Sequence, residues 1–228
     1  MNLLAPEDIQ AILLSLKVAM SAMIVGLPIA LAAAFALARG RFPGRGLLDA
    51  LTHLPLVLPP VATGYALLVL FGPRGMLGRL LEPIGVVFAF RWTGAALAAG
   101  IMAFPLMVRP IRLAIESIDR EVDDAAKTLG AGPVARFVRL TVPLAGPGLV
   151  AGAVLGFAKA LGEFGATITF VAAIPGETLT LPTAIYQATQ TPGGEARAIA
   201  LCVVAAVIAI AAVLASDAIS RRAVRGRG

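Results

Sequence analysis

The sequence predicts an all-α integral membrane protein with about five transmembrane helices. Three observations predict it: uncharged apolar runs long enough to cross a bilayer, too little charge to cover a water-facing surface, and basic residues gathered in alternate loops. The chain is 59% hydrophobic and only 14% charged over 228 residues, with a mean hydropathy of +0.91. A soluble domain carries about 25% charge. Lipid removes that requirement by covering the apolar surface itself.

A crossing helix needs about 20 apolar residues. The first run spans 18–38, with Lys17 at its start, where the stem can snorkel to the interface. The second spans 50–73 and carries His53 near its beginning. The third spans 92–115, with Arg109 and Arg112 near one end. The fourth runs from about 147 to 173 and is interrupted by Lys159 and Glu163; it suits one tilted helix or one helix with a broken end. The fifth spans 198–216.

Most of the 19 basic residues lie in three segments. Arg39, Arg41 and Arg45 follow the first run. Arg109, Arg112, Arg120, Lys127, Arg136 and Arg139 follow the third. Arg221, Arg222, Arg225 and Arg227 follow the fifth. With five crossings these segments share one side, and the positive-inside rule makes that side cytoplasmic, with the N-terminus outside. Arg74, Arg79, Arg91 and Arg197 on the opposite side weaken the bias without reversing it. The same reading assigns the net charge of +6 to topology and not to nucleic acid. The opening MNLLAPEDIQ is acidic and does not fit a cleavable signal peptide.

Several chemistries are not written here. The one cysteine, Cys202, sits in an apolar run and reads as packing; the one histidine, His53, makes no metal set alone. There is no phosphate loop, so ATP binding is not expected of this chain. No nucleophile–base pair stands out. An intramembrane enzyme would have only His53 and Glu163 to work with, and a scaffold would not need the proline breaks described next.

Glycine and proline are frequent inside the runs. Gly148, Gly152 and Gly156 share one helical face and suit close helix packing. Pro55, Pro59 and Pro60 must break the second run and free backbone carbonyls, tolerable only against protein or a water-filled cavity. Such breaks occur where a solute crosses a membrane. Lys159 and Glu163 are four apart and can pair on one helix face. Buried charge at membrane depth faces either a pathway or a partner that satisfies it. Both readings stay open for this pair, and Pro59, Pro60, Gly162, Glu163, Phe164, Gly165 and Lys159 form the pathway and gate candidates.

The longest polar stretch is 116–143. Val122, Ala125, Ala126 and Leu129 follow i, i+3, i+4, i+7 spacing and form one stripe on a short helix. Asp123, Asp124 and Lys127 take its polar side. Gly130 and Gly132 are stop signals, and Pro133 can open a second short helix with Val134, Phe137 and Val138 on its stripe. Two short helices joined by a sharp turn serve either as a membrane-surface element or as a docking knob for a cytosolic protein.

This loop resembles the EAA loop of the membrane-spanning permease subunits of binding-protein-dependent ABC importers. That motif is Glu-Ala-Ala, three residues, Gly, nine residues, then Ile-x-Leu-Pro. Here Asp124-Ala125-Ala126 is followed at that spacing by Gly130, Leu140, Val142 and Pro143. Within the family the molybdate permease subunits are most similar. The resemblance rests on LLSLKVA (13–19), FPGRGLLD (42–49), HLPLVLPPVATGY (53–65), FPLMVRPIRLAIE (104–116), KTLGAG (127–132), GEFGATITF (162–170), IPGET (174–178) and QTPGGE (190–195). Sulfate permease subunits share part of this pattern.

The resemblance implies a single permease domain over 1–228 with its coupling loop at 116–143, in the inner (plasma) membrane of a bacterium. It implies a homodimer with a second copy of the chain, a cytoplasmic ABC ATPase dimer that binds and uses the ATP, and a periplasmic oxyanion-binding protein. No cofactor would be held by this chain. Asp124, Ala125, Ala126, Gly130, Leu140 and Pro143 would couple to the ATPase. Molybdate would be the cargo, with tungstate or sulfate as the alternatives.

Overall fold

A computed structural model describes residues 5–225, side chains excepted at 213 and 215–225. The C-terminal basic residues Arg221, Arg222, Arg225 and Arg227, on which part of the topology reading rests, lie outside the described side chains.

The first run extends further towards the N-terminus than its uncharged part. Pro6 opens α1 (Pro6–Arg39), where a missing N–H costs nothing, and Asp8 accepts the Ala5 N–H at 2.8 Å. A five-residue link leads to α2 (Arg45–Val57), and α3 (Pro60–Phe71) follows at 114° to it. Leu58 and Pro59 are extended because a residue before proline is pushed out of the helical region. The break expected from the prolines of the second run falls at Leu58–Pro59 and divides it into two pieces. At 1.5 Å per residue each is about 20 Å long, short of the roughly 30 Å hydrocarbon core.

After α3 come α4 (Met76–Leu81) and a single 3₁₀ turn (Glu82–Ile84). The central helix is α5 (Trp92–Glu116), continuous despite Pro105 and Pro110. The polar loop folds as α6 (Arg120–Thr128) and α7 (Pro133–Arg136), then a π turn (Phe137–Thr141) and α8 (Val142–Leu144). The fourth run is α9 (Gly146–Leu161), a break at 162–164, and α10 (Gly165–Val171). This is the helix with a broken end, entered through a 69° bend from the 133–144 segment. The chain ends with α11 (Leu181–Gln190) and α12 (Glu195–Arg225). Among the described residues three helices are long and apolar enough to cross unbroken, and up to five crossings result if each bent pair counts as one.

Small residues let α1, α5 and α9 approach closely. Ala19, Ala22, Ala98, Ala99 and Ala103 are fully or nearly fully buried between them. Gly148, Gly152 and Gly156 face α5: a methyl on Gly148 would stand 2.6 Å from the Pro110 carbonyl oxygen, and one on Gly152 2.8 Å from that of Met107. This is the small-residue packing that lipid favours, because dispersion contact replaces hydrophobic drive. A second cluster, of Ala11, Leu179, Leu181, Ala184 and Leu201, joins α1 to α11 and α12.

Polar contacts tie the helix ends. Arg197 grips the buried Asp8 carboxylate through Nε (2.9 Å) and Nη2 (2.6 Å), joining the starts of α1 and α12. Ser15 Oγ accepts the Leu181 N–H at 2.6 Å. Arg39 Nη2 donates to the Ile115 and Ile118 carbonyls, satisfying acceptors that the end of α5 leaves open. Lys17, read as a snorkelling residue, instead places Nζ 3.6 Å from the centroid of the Trp92 ring, a cation–π contact.

Candidate coupling turn and pathway

Asp119 caps α6 by accepting the Glu121 N–H at 3.0 Å, and Glu121 and Asp123 place negative charge in its first turn. The helix stops in a Schellman arrangement: Ala131 N–H donates to Ala126 O and Gly130 N–H to Lys127 O, both at 3.0 Å. Gly130 sits at φ +82°, a region that costs other residues about 1 kcal/mol or more. Pro133 then opens α7 at its first position. Arg136 Nη1 donates to Asp123 Oδ2 at 2.7 Å and locks the two short helices together. Phe137 packs edge-on against Phe35 of α1 at 4.9 Å and seats the turn on the helical body.

The α6 stripe faces outward. Val122, Ala125 and Leu129 are exposed, Leu129 by 88%, and Ala126 is half-buried. Asp124 is exposed on the polar side, Leu140 is half-buried, and Pro143 lies at the bend into α9. On α7 the stripe splits, with Phe137 packed inward and Val134 and Val138 exposed. An apolar stripe rimmed by charge and left uncovered is surface suited to another protein.

The second site lies at the α9–α10 break. Lys159 and Glu163 do pair, Nζ to Oε2 at 2.5 Å, but not along one helix face as their spacing predicts. The helix ends at Leu161 with Gly162 at its C-cap, so the pair bridges the helix end. Glu163 is 3% exposed, and its other oxygen accepts the Ala166 N–H at 3.0 Å. One carboxylate thus closes the ammonium above the break and an open amide below it.

The proline break of the second run meets the same place. A methyl on Gly165 would stand 2.8 Å from Pro60 Cβ, and one on Gly64 2.4 Å from the Ala166 carbonyl oxygen. Gly165, two residues past Glu163, therefore meets Pro60, while Pro59, Pro60 and Gly162 are exposed at the two breaks. Phe164 stacks with Tyr186 of α11, ring centroids 5.1 Å apart. Thr63, one turn into α3, buries its hydroxyl without a hydrogen-bond partner among the described residues. Sequence reasoning missed Thr63 and Tyr186; neither sits in a local pattern, and only the packing of α3 and α11 brings them here. No group of three or more His, Cys, Asp or Glu side chains able to hold a metal occurs among the described residues.

The arrangement has no reacting groups set against one another. It has an exposed two-helix turn at one end of α9 and a sealed ion pair at the other. Residues 17–225 match the family described as "Binding-protein-dependent transport system inner membrane component". The "Molybdenum transport system permease protein ModB" of Escherichia coli (strain K12) is 52% identical over 220 residues, covering 96% of each chain. The protein of the same name from Haemophilus influenzae is 50% identical over 216 residues, covering 94% of each. Among solved structures, a bacterial alginate ABC transporter in complex with its alginate pentasaccharide-bound periplasmic protein has a chain of the same fold, with a TM-score of 0.77 at 22% identity, covering 96% of this chain and 80% of that one. This chain belongs to the family of inner membrane components of binding-protein-dependent transport systems.

Proposed function

We propose that this chain is the membrane-spanning subunit of an ATP-driven molybdate importer. Two copies form the pathway, a cytoplasmic ATPase dimer docks on α6, and a periplasmic oxyanion-binding protein delivers cargo to the opposite face. The N-terminus lies outside and the C-terminus in the cytoplasm. The exposed stripe of Val122, Ala125 and Leu129 on a turn locked by Gly130 and by the Asp123–Arg136 pair carries this reading. The molybdate assignment is supported by the 52% identity, over 96% of both chains, with a molybdenum transport permease.

In this account Asp124, Ala125, Ala126, Gly130, Leu140 and Pro143 receive the motion of the ATPase. Lys159, Gly162, Glu163, Phe164, Gly165, Pro59 and Pro60 lie at the gate. ATP is bound and hydrolysed by the partner, and this chain holds no cofactor. The break buries a carboxylate, and the ammonium and the Ala166 amide offset that cost. Opening the break exchanges those partners for water.

Two experiments test the reading. Vesicles reconstituted with the permease, its ATPase and its binding protein should take up molybdate on addition of ATP, with tungstate competing and sulfate competing weakly. Dominant sulfate uptake overturns the substrate. Gly130→Pro should abolish co-purification with the ATPase while membrane insertion persists; unchanged docking removes the coupling role of the turn.

A further inference from the structure

A cavity of about 560 Å³ opens where the end of α1 meets α6 and α7. Arg39, Arg41, Arg120 and Arg136 ring it, together with Asp123 and Asp124. The charges do not cancel. Asp123 is committed to Arg136, and Arg39 lends one nitrogen to the α5 carbonyls. Arg41 and Arg120 are exposed and make no hydrogen bond or ion pair among the described residues. Arg136 keeps a buried Nε–H with no acceptor among the described residues. The edge-to-face pair of Phe35 and Phe137 supplies an apolar wall.

The geometry points to a site for a phosphate-type oxyanion, filled by the headgroup of an anionic phospholipid. Guanidinium groups arriving from two different helix ends match the spread oxygens of a phosphate better than a single cation does. The aromatic wall gives the first carbons of the lipid a place that a free anion does not need. The cavity lies at the terminus of the first crossing helix, where headgroups sit, and basic pockets between helices on the cytoplasmic side are sites for anionic headgroups. The cytoplasmic placement rests on the topology proposed above. A lipid seated here bridges α1 to α6 and α7, so it would brace the coupling turn against the membrane-embedded body.

Native mass spectrometry of the permease–ATPase complex, offered equal amounts of phosphatidylglycerol and phosphatidylcholine, tests the site. The complex should retain phosphatidylglycerol about tenfold over phosphatidylcholine. Arg41→Gln with Arg120→Gln should remove that preference, and Arg41→Lys with Arg120→Lys should keep most of it, which separates charge from misfolding. Equal retention of the two lipids by the native complex, or an unchanged preference in the glutamine variant, overturns the proposal. Two further arms identify other occupants. Inorganic phosphate that raises the melting temperature of lipid-free protein in micelles, with no lipid preference, makes the occupant a free anion and overturns the lipid assignment. Phosphatidylglycerol that binds the chain alone but is expelled by the ATPase makes the cavity part of the docking surface, and also overturns it. Molybdate uptake by the same preparation, measured in parallel, keeps failure of this site distinct from failure of the transport reading.

Discussion

The α6–α7 turn and the α9–α10 break are both interruptions held by an ion pair and a glycine, yet their surroundings are opposite. Asp123 and Arg136 meet partly in water, their side chains 40% and 19% exposed, and the apolar stripe beside them is open. Lys159 and Glu163 meet with the lysine side chain 29% exposed but the carboxylate only 1% exposed and with a backbone amide on its second oxygen, so the difference lies on the acidic side. Exposed ion pairs contribute about 0–1 kcal/mol, whereas leaving one partner of a buried pair unmatched costs about 3–5 kcal/mol. The turn is thus a handle whose contacts are cheap to exchange. In the proposed function the break is a seal that gives way when both partners are resolvated.

The largest effect should come from breaking the seal. Glu163→Ala leaves the part-buried Lys159 ammonium and the Ala166 amide unmatched and should lower stability by about 2–3 kcal/mol, read as a fall in melting temperature in detergent. Restored stability in Glu163→Ala with Lys159→Met would show that the stranded charge, and not lost packing, sets the cost. Next comes Gly64→Val, which drives a side chain into the Ala166 carbonyl and should cost about 1–3 kcal/mol. Uptake should fall with it, since α3 and α10 can no longer meet.

On the turn the effects should be smaller for folding and larger for docking. Gly130→Ala should cost about 1 kcal/mol through its left-handed backbone. Asp123→Asn should cost less than about 1 kcal/mol by thermal unfolding. Leu129→Asp, at a fully open position, should leave the melting temperature unchanged yet weaken ATPase co-purification. If Leu129→Asp destabilises the chain and Glu163→Ala does not, the contrast between handle and seal is wrong.

The apolar runs and the polar loop were legible because their signals are local. Helical spacing placed Val122, Ala125, Ala126 and Leu129 on one face, and Gly130 and Pro133 marked the turn between two helices. The glycine ladder on α9 was legible for the same reason. The 114° reversal at Leu58–Pro59 was half legible: prolines announce a break but carry no angle, which is set by what α3 packs upon. Pairings across the chain left no local trace. Asp8 and Arg197 are 189 residues apart, and Arg39 reads as a topology charge until it is seen closing the carbonyls of α5. Lys159 and Glu163 looked like a pair on one face because i, i+4 spacing assumes an unbroken helix, and Gly162 ends it between them.

Between the handle and the seal runs α9, with 16 residues and no interior proline after its first turn. At 1.5 Å per residue it is about 24 Å long. It bears on α5 through Gly148, Gly152 and Gly156, and Ala114, Ile111 and Met107 of α5 seat against them, which holds the two helices in register. Such a helix, keyed to its neighbour, moves as a rigid rod. Its two ends travel together, so under the proposed coupling a shift of an ångström or two imposed at Leu144 would be felt at Glu163. That is enough to turn a hydrogen bond into a gap that water can enter.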